Sequence, residues 1–383
     1  MALTNRNNHN KYKIFVDAHV FDGEFQGTLT YVKELYLKII EISPDIKIFF
    51  GANNIENVKI HFGEFKNVSY VQYAAKNSLK RIFIEIPEII DKLECSHAHF
   101  QYIIPFRKNK KCKYIVTIHD VLFNDFPNEF SLLYRLKRNI LFYLSAKNCD
   151  FLLTVSNYSK KKISEQYKIE LEKIIVTPNA VSKDYYDFDF SKKESRAYIN
   201  KKYNIQKYIL YVSRIEPRKN QVLLLKTFVN EKLWLRGYSL VLIGSMTLES
   251  GLLELINNLD KEAKSAIHWL AQVDYINLKQ FLNGAEVFIY PSKAEGFGIP
   301  PLEAGALYTP VLCSNATAMI DFDFFKPYFF DPDNKNEFVK LVLAILDNKN
   351  NINVVEIQTA IRNKYTWEQT AKVLLKKLIK VNA

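Results

Sequence analysis

Cysteine is scarce in this chain, and long apolar runs are missing. The four cysteines, Cys95, Cys112, Cys149 and Cys313, are scattered, and no two form a CxxC pair. That spacing argues against a disulfide or zinc framework and points to buried or free thiols in a reducing compartment. No stretch approaches the roughly 18 consecutive apolar residues of a membrane-spanning helix. The run from Ile140 to Ala146 is far too short. Residues Met1–Lys11 are polar and Asn-rich, without the apolar core of a signal peptide. The expected location is therefore cytoplasmic. Several signatures of chemistry are also missing. There is no G-x-S-x-G elbow, so a hydrolase triad has no support. There is no G-x-G-x-x-G, no Walker A sequence and no His/Cys cluster with zinc spacing. The DxD triplets Asp187–Asp189, Asp321–Asp323 and Asp331–Asp333 are of a kind that arises by chance among 41 acidic residues. They are not read as a metal site, and no metal is expected.

What is present is an ordinary globular composition with a basic excess. Hydrophobic residues make up 48% and charged residues 25%, which excludes disorder and low complexity for the bulk of the chain. At roughly 150 residues per domain, 383 residues imply two to three domains. The net charge of +12 favours nucleic acid, anionic lipid or phosphorylated substrates. Basic clusters lie at Lys76, Lys80 and Arg81; Arg107–Lys113; Arg135, Lys137 and Arg138; and Lys160–Lys162. They are either a solvated surface or a face that rests on an anionic membrane, where each basic residue contributes about 1 kcal/mol. Nucleic acid is not expected as a partner, because no aromatic-basic stacking platform or known module is present.

Strands alternate with helices throughout. Lys13–Val20, Ser96–Phe100, Lys113–Ile118, Phe151–Val155 and Lys173–Val176 read as strands, and Thr28–Ile42 has helical spacing. Ser182–Glu194, acidic and Tyr-rich, reads as a linker. The alternation then restarts with strands at Tyr208–Val212, Leu240–Ile243, Ile267–Leu270, Val287–Tyr290 and Thr309–Cys313. Helices are expected at Asn220–Asn230 and, amphipathic, at Trp367–Ile379. This is an α/β chain with two doubly wound parallel-sheet domains.

Ligands of such sheets bind outside the carboxyl ends of the strands. Four strand ends stand out. In VFIYPSKAEGFGIPPLEAG (287–305), Gly296 and Gly298 let backbone amides approach a ligand ahead of a helix opened by Pro300-Pro301, which suits phosphate. Glu295 precedes that loop and Glu303 is expected in the first helical turn, where it either accepts sugar hydroxyls or complements the helix dipole. In YILYVSRIEPRKN (208–220), Arg214 and Lys219 share one strand-to-helix loop and suit a diphosphate. In YIVTIHDVLFNDFP (114–127), His119 and Asp120 follow a strand and suit substrate contact or proton handling. In DGEFQGTLTY (22–31), Gly27 and Thr28 mark a turn into the first helix.

Together these segments resemble the retaining glycosyltransferases of family four. The most specific element is Glu295 and Glu303 with seven residues between them, enclosing Gly296-Phe297-Gly298. TVSNYSKK (154–161), TPNAV (177–181), YFFDPDN (328–334) and Tyr365-Thr366-Trp367 extend the resemblance to nearly the whole chain. It implies the GT-B fold, two Rossmann-like domains facing a cleft. The domains would be 1–185, binding the acceptor, and 186–365, binding the nucleotide sugar, with 366–383 returning to the first. The chain departs from the family at Ala180, where Gly is common, at Ala318–Asp321 in place of a Leu-Pro-Glu sequence, and at the single turn glycine Gly27.

The resemblance also implies roles. Arg214 and Lys219 hold the donor diphosphate, with Ser213, Gly296, Phe297 and Gly298 around the donor. Glu295 contacts the donor sugar and Glu303 the ribose. His119 lies by the transferred sugar, and Gly27 lets donor or acceptor approach the first helix. Thr28 and Asp120 lie on the acceptor side. The implied reaction is metal-independent, retaining and front-face, with Glu295 as a covalent nucleophile the alternative. The donor reads as GDP-mannose and the acceptor as a saccharide or lipid-linked sugar of surface-polysaccharide or lipopolysaccharide synthesis, with peripheral contact on the inner face of the cell membrane. No cofactor is expected. The competing readings are a sugar-nucleotide epimerase on the same scaffold and a non-enzymatic basic binding protein.

Overall fold

The computed structural model describes residues 12–23, 27–127, 129–246, 251–348 and 351–379. The chain forms two compact units, Met1–Asn179 with Trp367–Ala383, and Ala180–Thr366.

The first unit holds a seven-stranded parallel sheet of β1 (Lys13–Asp17), β2 (Lys47–Ala52), β3 (Val68–Gln72), β4 (His97–Gln101), β5 (Lys113–Thr117), β6 (Phe151–Thr154) and β7 (Ile174–Val176). The order is β3-β2-β1-β4-β5-β6-β7. The direction of winding reverses between β1 and β4, which pair in the register Val16↔His99. Strands buried on both faces need continuous apolar runs, and Ile14–Val16 and Tyr114–Val116 are fully buried. Helix Gly27–Ile42 lays Val32, Leu35, Tyr36 and Ile39 inward. The last helix, Trp367–Leu378, packs on this unit: Thr370 donates to the Pro178 carbonyl (2.8 Å) and Trp367 meets Tyr31 edge-on.

The second unit repeats the plan with β8 (Tyr208–Val212), β9 (Ser239–Ile243), β10 (Ile267–Leu270), β11 (Val287–Tyr290), β12 (Val311–Ser314) and β13 (Phe329–Phe330). The order is β10-β9-β8-β11-β12-β13, all parallel, with the reversal between β8 and β11. No helix among the described residues is long and apolar enough to cross a membrane.

Several sequence expectations need correction. The first strand stops at Asp17 instead of Val20, because the Asp17 carboxylate accepts hydrogen bonds from the His19 backbone and ring and draws the chain into a 3-10 turn, His19–Phe21. Strands β2, β3 and β13 were not expected; β13 has only two residues, and β3 is half-buried with no clean alternation. Ser182–Glu194 is not a linker. It belongs to the second unit, forms helix Lys183–Tyr186 and starts helix Lys192–Tyr203, which a Ser191/Glu194 capping box secures. Tyr185 is buried and Asp184 pairs with Lys279 (3.1 Å), a partner only the fold supplies.

Candidate functional site

In the second unit, the loops after β8 and β11 flank the reversal of strand order. Ser213 continues from β8 through a backbone bond to the Ile243 carbonyl (3.0 Å). Gly244, at φ +149°, lets the β9 end pass beside it; a Cβ there would fall on the Ser213 carbonyl oxygen. A 3-10 turn, Pro217–Lys219, and Asn220 in the left-handed region (φ 60°) then aim Lys219 inward, where it is buried. Asn is one of the few non-glycine residues that tolerates this conformation.

The second loop brings Glu295 to Lys219. Lys219 Nζ donates to Glu295 Oε1 at 2.5 Å, and the Tyr290 hydroxyl donates to the same oxygen at 2.6 Å. Glu295 Oε2 lies 3.7 Å from Arg218. Burial alone would raise the Glu295 carboxyl; Lys219, then Arg218, outweigh it and hold the group below its ordinary value. Burial lowers Lys219 in turn, with Glu295 opposing. Arg218 was not expected here. It reaches Glu216 Oε2 (2.6 Å) and the Ala294 carbonyl (3.0 Å), and so ties the two loops together. Glu216, also buried, takes Arg214 on its other oxygen at 3.3 Å. Arg214 is the exposed cation of the group, its side chain 48% accessible. Arg218 and Glu216 lie inside the quoted string EPRKN, but spacing could not show which cation turns inward.

The glycine loop is held by reciprocal bonds between Glu295 and Thr317: the Glu295 amide donates to Oγ1 (2.9 Å) and Oγ1 donates to the Glu295 carbonyl (3.1 Å). Gly296 precedes Phe297, whose ring is buried between Phe322 and Tyr365 at 5.7 and 5.5 Å. Phe297 therefore anchors the loop and presents only its backbone to a ligand. Gly298 has φ +94°, and a Cβ there would press Met319 at 3.0 Å. Helix Ile299–Ala306 starts immediately after it. Glu303 is the fifth residue of that helix, so it sits in the second turn, beyond reach of the helix-dipole role. Burial pushes it up to about 7, against the nearby Tyr185 hydroxyl, while Asp184 adds to the rise. Tyr185 comes from the stretch first read as linker, which is why its link to Glu303 was not legible.

In the first unit, His119 is buried after β5, with Nε2 on Gln101 Oε1 at 2.8 Å and its ring edge-on to Tyr31. Burial pushes it down to about 3. The imidazole is thus neutral at physiological pH and offers hydrogen bonds, not a titrating proton. Tyr102 packs on His119 at 5.3 Å and its hydroxyl approaches Thr28 at 3.5 Å, so these two expected residues meet through a third. Asp120 accepts the Leu122 amide (3.1 Å), a turn-forming bond. Gly27 is the exposed first residue of its helix, and no protein atom among the described residues lies within 4 Å of where a Cβ would stand. Among the described residues, no packing contact demands glycine there. Among the described residues no group of three or more His, Cys, Asp or Glu is placed to hold a metal.

Comparison with known proteins matches both halves. The family described as Glycosyltransferase Family 4 covers residues 38–185, and Glycosyl transferases group 1 covers residues 192–363. The chain is 32% identical over 226 residues to the O-antigen chain mannosyltransferase RfbU of Salmonella typhimurium, covering 58% of this chain and 56% of that protein. It thus spans little more than half of that relative's length. It is 26% identical over 303 residues to O-antigen chain mannosyltransferase B of Escherichia coli, covering 72% and 74%. The solved structure of a glycosyltransferase from Rickettsia africae superposes with a TM-score of 0.70 at 18% identity, covering 97% of this chain and all of that one. With both sheets wound in the same Rossmann-like order and the two family matches meeting near the division between them, the chain belongs to the GT-B glycosyltransferases, family four in its amino-terminal half and group 1 in its carboxyl-terminal half.

Proposed function

We propose that the protein is a retaining hexosyltransferase that moves mannose from GDP-mannose to a saccharide or lipid-linked acceptor in surface-polysaccharide or lipopolysaccharide synthesis. The observation that carries the reading is the paired loops at the switch point of the second sheet, where Arg218 and Lys219 meet Glu295 and Arg214 meets Glu216. The mannose assignment leans on the two O-antigen relatives.

In this reading Arg214, the accessible cation, takes the donor diphosphate. Lys219 adds a second positive charge, and the pair stabilises the nucleoside diphosphate as it leaves with the electrons of the C1–O bond. Amides of Gly296–Gly298, at the start of helix Ile299–Ala306, complete the phosphate site. Glu303 takes the ribose, and neutral His119 hydrogen-bonds the transferred sugar. Glu295 is poorly placed as a covalent nucleophile, since its charge is engaged by Lys219, Arg218 and Tyr290. Front-face transfer through an oxocarbenium-like state, with the acceptor entering on the departing side, retains configuration. The cations act on the diphosphate where other enzymes use a divalent metal, so EDTA leaves the rate unchanged.

The proposal extends to the inner membrane face. Helix Leu132–Asn148 exposes Leu132, Leu133, Leu136 and Ile140 beside Lys137 and Lys147, while Arg138 turns inward over Tyr134 at 4.7 Å. Sedimentation with anionic vesicles but not neutral ones supports it; equal, poor binding to both refutes it.

The test of the main reading is a thermal-shift panel of nucleoside diphosphates. A nucleotide at about 100 times its Kd stabilises by about 2.7 kcal/mol. GDP is expected to shift the melt and Arg214→Ala to abolish the shift. A panel in which no nucleotide shifts wild type overturns the donor site. The anomeric configuration of the product, read by NMR, tests retention.

A further inference from the structure

At the switch point of the first sheet, between β1 and β4, lies a polar group that the reading above leaves unused. Asp17 is the last residue of β1 and is buried. Its Oδ1 accepts the Tyr73 hydroxyl at 2.8 Å and its Oδ2 accepts His19 Nδ1–H at 2.9 Å. Tyr73 reaches it only because β2 carries Gly51 opposite Asp17; a Cβ at residue 51 would stand 2.5 Å from the Tyr73 hydroxyl. The site is thus built into the sheet.

Two groups around this carboxylate have capacity to spare. With Nδ1–H committed to Asp17, a neutral His19 ring carries its acceptor lone pair on Nε2. Nε2 forms no hydrogen bond among the described residues, and the side chain is 29% accessible. Arg81 is only 8% exposed. It starts a π-helical turn, Arg81–Glu85, whose Glu85 accepts the Ala74 and Ala75 amides and so clamps Arg81 over the Tyr73 ring at 5.6 Å. Such turns cluster at functional sites. The Arg81 guanidinium makes no hydrogen bond or ion pair among the described residues, and its Nε is sealed from solvent without a partner. A buried guanidinium left so is costly. Asp17 feels its charge but is already bonded by Tyr73 and His19.

We infer that His19 and Arg81 form a saccharide-binding subsite for the acceptor, with Asp17 and Tyr73 as positioning residues. The inference rests on the glycosyltransferase reading above. One outward acceptor, Nε2, and one cationic donor, the guanidinium, flank a single carboxylate. That set matches neighbouring hydroxyls of a sugar, which both donate and accept. A phosphate at this place would meet the charge of the Asp17 carboxylate. The location fits the rule that open α/β sheets bind ligands at the switch point.

The experiment uses the full chain and saturation-transfer NMR with methyl α-mannopyranoside, methyl β-glucopyranoside and N-acetylglucosamine as probes. Two variants are compared with wild type. His19→Asn keeps an N–H for Asp17 but removes the outward nitrogen, so a merely structural histidine loses little. Arg81→Met keeps the buried stem without the charge. Saturation transfer to at least one glycoside is expected in wild type, falling roughly three- to tenfold in each variant, the worth of a hydrogen bond. The nucleotide-induced melt shift is expected to persist in both, which separates this site from the donor site. No transfer to any probe in wild type, or undiminished transfer in either folded variant, overturns the subsite. Loss of the nucleotide shift in wild type speaks against the donor reading instead.

Discussion

Lys219→Met tests the central pair of the second unit. The substitution leaves Glu295 buried and charged, with the Tyr290 hydroxyl at 2.6 Å and Arg218 at 3.7 Å as its remaining support. Removing one partner of a buried ion pair costs about 3–5 kcal/mol. The two remaining contacts place this case near the lower end, about 3 kcal/mol. For a domain of this size that lowers Tm by roughly 6–12 °C, measured by calorimetry of the full chain. Adding Glu295→Gln removes the stranded charge and recovers most of the loss, so the double-mutant cycle shows a coupling of about 2 kcal/mol. The pair also carries a pH signature. Glu295 is held below its ordinary 4.5, so its contribution is present above that value and is lost as pH falls through the depressed folded one. Lys219→Met shrinks this acid-side loss. A cost under about 1 kcal/mol, typical of exposed pairs, or strict additivity with Glu295→Gln, refutes the account.

Glu303 carries the opposite sign. Its folded value of about 7 lies above the ordinary 4.5, so its contribution is full below 4.5 and is lost as pH rises through 7. The loss is on the order of 2 to 3 kcal/mol after allowance for its partial exposure. Glu303→Gln is expected to flatten stability between pH 5 and 8 in denaturant titrations; an unchanged slope contradicts the assignment. Gly244→Ala must move the backbone at φ +149° away from Ser213. It is expected to cost at least about 2 kcal/mol and to weaken the nucleotide melt shift; a native-like melt with full nucleotide response argues against a tight approach there. His119, neutral down to pH about 3, contributes no limb to the rate profile between pH 5 and 9. His119→Gln therefore alters KM or kcat without altering the profile's shape, and loss of a limb in the variant shows the opposite.

Much of the architecture was legible from residue order. Apolar runs such as Tyr208–Val212 and Val287–Tyr290 have strand length, and the glycine and proline residues at 296–301 place a turn and a helix start. The Glu295/Glu303 spacing carried the family resemblance because it is a local pattern. Strands β2, β3 and β13 and the folding of Ser182–Glu194 were not legible. Their stability comes from neighbours far along the chain, such as Asn283 donating to the Phe190 carbonyl (2.8 Å).

Local apolar runs and turn residues place particular chemical groups at strand ends, and these are readable from residue order. Which of those groups meet depends on how the loops and sheets pack. Sequence reading put Lys219 on a diphosphate and Glu295 on a sugar; packing the β8 and β11 loops side by side made them a buried pair. Sequence reading put Arg81 with exposed lysines; the π-helical turn buried it by Asp17. It offered His119 for proton handling; burial removed the proton from physiological reach. The physical reason is common to all three. Burial and opposite charge act through space, between residues that the chain order keeps apart, and only the folded sheets bring them together.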